Sequence, residues 1–107
     1  MPVIKIFCAE RPEADLCERL AQTLRDLCVG PMGAKPDAIQ LTLVPGVHML
    51  DGAPLFVEVH YRDRPDRKGA ALTQFLEGVD QAVQLAYGQQ PRIRSFAVEQ
   101  SSLGAVR

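Results

Sequence analysis

The sequence predicts an α+β domain in which a duplicated βαβ unit forms a four-stranded mixed sheet with two helices on one face, and three observations carry that expectation. Apolar residues alternate with period two in four short segments. Two longer segments between them carry leucines and other apolar residues at helical spacing. The second half of the chain also repeats the first. A shift of 53 residues lays Glu10-Arg11-Pro12-Glu13 on Asp63-Arg64-Pro65-Asp66 and Ile4-Lys5-Ile6 on Val57-Glu58-Val59, so strand phase and the approach to the helix match together.

Val3 to Cys8 reads as the first strand, with Ile4, Ile6 and Cys8 on one side and Val3, Lys5 and Phe7 on the other. In the helix that follows, Pro12 sits where a first turn tolerates a missing N–H, and Glu13 and Asp15 suit the positive end of the dipole. Leu16, Leu20, Leu24 and Leu27 then recur at helical spacing until Gly30-Pro31 stops the helix. Ile39 to Val44 is the second strand, and strand, helix and strand in that order make a right-handed parallel crossover. Pro45-Gly46 and Asp51-Gly52 bound a short connecting loop that holds His48. The third strand runs from Leu55 to Tyr61, and the second helix from about Asp66 to Tyr87 through Leu72, Phe75, Leu76, Val79 and Val83, with Gly88 as its stop. Ile93 to Glu99 is the last strand. A single domain over residues 1–107 is expected, built of two units spanning about 2–45 and 54–99.

The composition excludes several classes of function. No apolar stretch approaches the roughly 18 residues that a membrane span needs, and the start lacks a basic region followed by an apolar one, so neither a span nor a signal peptide is expected and the reading is cytoplasmic. Twelve basic residues against thirteen acidic ones, with no Lys/Arg block interleaved with aromatics, argue against a nucleic-acid surface. Cys8, Cys17 and Cys28 fit no metal-ligand spacing and read as buried thiols, and His48 and His60 have no neighbour that would complete a zinc site. No metal is expected.

Pro2 follows Met1 directly and heads the first strand. Removal of Met1 would turn its ring nitrogen into a rigid secondary amine whose proton affinity burial and charge can tune. With Met1 in place the same nitrogen is an amide without basicity. A Met-Pro start on its own means only a chain that begins with proline, so the other motifs must give it weight.

Those motifs are Met1-Pro2-Val3, Pro36-Asp37-Ala38-Ile39-Gln40-Leu41 and the segment from Phe56 to Lys68, FVEVHYRDRPDRK. Together they resemble the tautomerase superfamily over nearly the whole chain. A ferredoxin-like domain has the same element order, and the amino-terminal proline breaks the tie. The length is similar to the trimer-forming members with two βαβ units, such as 5-carboxymethyl-2-hydroxymuconate isomerase and malonate semialdehyde decarboxylase, rather than to the short 4-oxalocrotonate tautomerase chains. The resemblance implies a tautomerase β-α-β fold, a homotrimer, and a cofactor-free isomerase acting on a small 2-oxo, enol or unsaturated carboxylic acid. Its alternatives are a non-catalytic trimer of the same fold and a hydratase or decarboxylase of the same superfamily.

The resemblance makes Pro2 the catalytic acid or base and Arg64 a catalytic cation, with Arg62, Gln40, Asp37 and Arg11 as substrate-binding residues. Arginines would hold a carboxylate through two parallel bonds and stabilise an enolate oxygen. Arg62 and Arg64, two apart on an extended segment, point the same way and could clamp one anion. The plainer reading is that Arg62, Arg64 and Arg67 pair with Asp63 and Asp66 in solvent. Asp37 falls where the decarboxylase carries a carboxylate that handles water, although Pro-Asp is also good turn chemistry. Gln40 stands where several tautomerases carry a substrate-binding arginine, a departure that puts diacid substrates in doubt. Arg11 lies one residue before the family's first-turn arginine, and Arg94 could supply a substitute cation. His60, Tyr61 and Phe96 read as packing residues.

Overall fold

In the computed structural model, which describes all 107 residues, strands and helices follow in the order β1 Val3–Phe7, α1 Ala14–Val29, β2 Gln40–Val44, β3 Phe56–Arg62, α2 Ala70–Tyr87 and β4 Arg92–Val98. Short 3-10 turns lie at Pro36–Ala38, Pro65–Arg67 and Gln100–Ser102. The sheet order is β2-β1-β3-β4. β1 runs parallel to β2 and β3 parallel to β4, while β1 and β3 meet antiparallel at the centre, with Val3 opposite His60 and Ile6 opposite Val57. The mixed four-stranded sheet with two helices is the expected fold class.

Alternation decides which face carries the core. Ile4 and Ile6 from β1 and Val57, Val59 and Tyr61 from β3 are buried, and they join Leu20, Leu24 and Cys28 of α1 with Phe75, Val79, Ala82 and Val83 of α2 in one apolar cluster. Both helices therefore cover the same face. They approach closely at Gly78, where a Cβ would stand 2.5 Å from Leu27 Cδ2.

The second helix begins four residues later than its sequence pattern predicts. Pro65–Arg67 folds as a separate 3-10 turn, Lys68 is extended, and Gly69 takes φ 60°, a left-handed conformation that glycine adopts without a steric cost. The chain thus turns twice before α2 starts, and this kink directs the arginines that precede it. At the other end Gly88 closes the helix in the left-handed conformation and its N–H donates to Gln84 O at 2.8 Å.

The opposite face of the sheet carries no helix. Val3, Lys5 and Phe7 of β1 stand beside Phe56, Glu58 and His60 of β3 on this side. Phe7 stacks on Phe56 with ring centroids 6.1 Å apart, and His60 stacks on Phe96 at 5.0 Å while its Nε2 meets Glu58 Oε1 at 2.9 Å. No helix is long and apolar enough to cross a membrane.

Candidate functional site at the amino terminus

β1 is an inner strand, so the start of the chain is held between two neighbours. Gln40 N donates to Pro2 O at 3.0 Å, and the proline ring itself is buried. The antiparallel register pairs Val3 with His60, and carried two places toward the amino end it sets Met1 level with Arg62, the last residue of β3. This brings a cation to the terminal amine through strand pairing alone.

Arg62 Nε is buried and has no hydrogen-bond partner. A buried, unpaired donor on a charged group is costly and calls for an acceptor. Arg67, from the 3-10 turn, is buried to 2% exposure, and its guanidinium donates from Nε to Met32 O at 2.8 Å and from Nη1 to Arg62 O at 3.1 Å. The expected solvent pairing of Arg67 with an aspartate is not formed. Burial pulls the guanidinium toward its neutral form, with Arg64 and Arg62 adding repulsion and Asp66 opposing them.

In this chain the terminal amine is that of Met1, which stands in for the ring nitrogen that would become terminal on Pro2. Its pKa is lowered first by burial and then by the charges of Arg62 and Arg67, with Cys28 opposing. Cys28, buried in the last turn of α1, has its thiol pushed up to about 11, chiefly by burial, so it remains a neutral packing group near neutral pH. The Tyr61 phenol is raised as well, by burial and then by Asp63.

Arg64 is differently placed. It is half-buried at the surface, and its fork closes on exposed Asp66, Nε to Oδ1 at 2.9 Å and Nη2 to Oδ2 at 2.5 Å. The hydrogen bond from Arg64 is the main cause that holds the Asp66 carboxyl down at about 2. Arg62 and Arg64 therefore offer different things: one an unpaired buried donor, the other a fork already occupied by an internal carboxylate.

No protein-family model matches the sequence, and no curated protein does. Solved structures do match in three dimensions. A fused 4-OT wild-type symmetric trimer superposes with a TM-score of 0.79 at 16% identity, covering 96% of this chain and 90% of that one. Pt0534 inactivated by 2-oxo-3-pentynoate gives 0.76 at 18% identity over 96% of this chain and 90% of its own. A macrophage migration inhibitory factor homologue from Prochlorococcus marinus gives 0.74 at 18% identity, with 97% and 95% covered. The chain has the tautomerase-superfamily fold.

Within that fold the remaining candidate residues are dispersed. Gln40 opens β2 and lies level with Val3, its side chain exposed and its backbone tied to Pro2. Asp37 is exposed in the Pro36–Ala38 turn, where the turn chemistry of Pro-Asp accounts for it. Arg11 is exposed beyond the carboxyl end of β1, at the opposite end of that strand from Pro2, so one copy of the chain does not bring the two together. Arg94 lies level with Glu58 on the helix-free face and donates to Ile93 O at 2.9 Å. An apolar groove of about 110 Å³ between α1 and β2, lined by Ile4, Ile6, Leu20, Leu24, Leu41 and Leu43, includes none of Pro2, Arg62 or Arg67.

The sequence pattern did not single out Arg67 as a member of this group. The available signal was Pro65, which ends the extended spacing of Arg62 and Arg64 and lets the third arginine turn inward.

Proposed function

We propose that this tautomerase-fold chain is a cofactor-free keto–enol tautomerase that uses Pro2, exposed by removal of Met1, as its acid and base on a small 2-oxo, enol or unsaturated carboxylic acid. The observation that carries the reading is the position of the terminal amine, partly buried beside Arg62 and Arg67 with no carboxylate paired to it. Such a setting disfavours the ammonium form and enlarges the share of neutral amine that can act as a base. The amine can then take a proton from one position of the substrate and return it at another, so the reaction needs no external oxidant or reductant. The unpaired Nε of Arg62 can meet the negative charge that develops on oxygen. Arg64 takes part by exchanging Asp66 for the substrate carboxylate.

A homotrimer belongs to the same proposal. The helix-free face exposes Val3, Phe7, Phe56 and Phe96 in part, and sheets facing a threefold axis would cover them. Light scattering at micromolar concentration is expected to give three times the monomer mass, and a monomer would remove this part of the reading.

The occupied fork of Arg64 and the uncharged Gln40 favour a second reading, a trimer of this fold without turnover. A panel of enol, oxo and unsaturated acids, offered to a chain that begins at Pro2, separates the two. Activity on at least one acid is expected, and inactivity on all of them selects the binding or structural role. On an accepted substrate, Arg64→Ala should lower kcat/KM by about 2.7–4 kcal/mol of transition-state stabilisation. Arg62→Ala run beside it tests whether both act on one anion. Unchanged kinetics in Arg64→Ala would leave that residue as a surface ion pair.

A further inference from the structure

Tyr61 is the last residue of β3 on the face that the helices cover, and its hydroxyl is placed differently from that of the other tyrosine. Its ring is 5% exposed and belongs to the apolar core. A buried tyrosine usually finds a partner for its hydroxyl, as Tyr87 does by donating to Cys8 Sγ at 3.3 Å. The Tyr61 hydroxyl has no partner within the chain. Nor is it enclosed, because Arg62 Nε is the one fully buried polar side-chain atom left unpaired. The ring is therefore held in the core while its oxygen reaches the surface.

Strand register says where that oxygen emerges. Val3 pairs with His60, so Pro2 falls opposite Tyr61, and residues directly opposed across antiparallel strands carry their side chains on one face with Cβ atoms about 4.5–5.5 Å apart. The buried proline ring and the tyrosine ring are thus neighbours on the helix-covered face. Arg62, the next residue, leaves β3 on the opposite face. Together the two side chains flank the chain end from both sides of the sheet.

We propose that Tyr61 is a catalytic residue of the amino-terminal site, its phenol donating a hydrogen bond to the substrate oxygen that becomes the enol. The inference rests on the reading of Pro2 as the working amine and adds to it a neutral donor that faces Arg62 across the reacting group. In the keto-to-enol direction the amine takes a proton from the carbon beside the carbonyl, the C–H electron pair forms the C=C bond, and the carbonyl π pair moves to oxygen. Tyr61 meets the charge on that oxygen. The ammonium then delivers its new proton to the same oxygen, so the amine returns to its neutral form and the phenol keeps its own proton throughout. A donor that holds its proton suits this role, and burial followed by Asp63 raises the phenol, with Arg67 opposing.

The test is Tyr61→Phe in a chain that begins at Pro2, run beside the wild type on the same panel of enol, oxo and unsaturated acids. The substitution keeps the packed ring and removes one oxygen. On an accepted acid kcat should fall by about a hundredfold or more, the scale of losing one donor to a developing oxyanion, with KM unchanged. The pH at which the rate rises should stay at the wild-type value, because the amine is untouched. The urea midpoint should stay as well, because the hydroxyl bonds nothing in the folded chain. A fall in kcat of less than about tenfold, well short of an oxyanion donor, overturns the proposal. A lower urea midpoint or a variant that does not fold also overturns it, since the hydroxyl would then hold the fold, and a displaced pH profile does so by showing that it acts through the amine. Wild-type protein inactive on every acid removes the tautomerase reading and this inference with it, whereas an active wild type matched by Tyr61→Phe removes this inference alone.

Discussion

Protein processed to begin at Pro2 converts phenylenolpyruvate between its enol and keto forms at a rate that climbs with pH, while protein retaining Met1 is slower by at least about a hundredfold, the low end of what a positioned base contributes. The sign follows from the protonation states. Only the neutral amine accepts a proton, and burial with Arg62 and Arg67 depresses the pKa of the terminal amine, so the active form accumulates as pH rises through a value below that of an ordinary chain end. Retained Met1 abolishes the effect because the Pro2 nitrogen is then an amide. In Pro2→Ala a primary amine survives without the rigid ring, and its rate should fall between the two. Intact mass confirms which form is assayed. Equal rates in the processed and Met1-retaining forms would exclude Pro2 as the base.

Phe75→Ala should lower the unfolding free energy by about 3–5 kcal/mol, the cost of deleting a buried aromatic ring and leaving a cavity. Phe75 is fully buried in α2, within the apolar cluster that both helices share with β1 and β3. A domain of this size is stable by about 5–15 kcal/mol in all, so the variant should lose a large share of it and melt more than about 10 °C lower. Urea unfolding of the two proteins at equal concentration measures the difference. A loss below about 1 kcal/mol would mean that the core closes around the gap; if the variant does not fold, Phe75→Leu gives a smaller loss of the same sign.

The strands were legible because one face of each inner strand is buried, and burial on one face imposes a period of two that Ile4/Ile6 and Val57/Val59 display directly. The helices were legible from their leucine spacing, and Gly88 marked the end of α2 correctly. The start of α2 was not, because apolar periodicity is silent about Gly69, whose positive φ inserts a turn before the helix. Among the site residues, the meeting of Met1 with Arg62 depends on the register of two strands far apart in sequence, which no local pattern contains. The burial of Arg67 depends on the carbonyl of Met32, 35 residues away, a partner with no side-chain signature. Asp37 and Arg64 went the other way: both motifs suggest chemistry, while the structure places one in an exposed turn and closes the other on a neighbouring aspartate.

Chain ends usually fray, and an active group placed on one would spend most of its time away from its partners. Here the first strand is hydrogen-bonded on both sides, with β2 at one edge and β3 at the other, and the bond from Gln40 to Pro2 carries that ladder to the second residue. The conformational entropy of the terminus is therefore surrendered during folding rather than during each encounter with a ligand. Order that other proteins obtain by closing a loop over the bound molecule is present in this one beforehand, and the amino end, ordinarily the loosest part of a polypeptide, leads straight into an inner strand of its sheet.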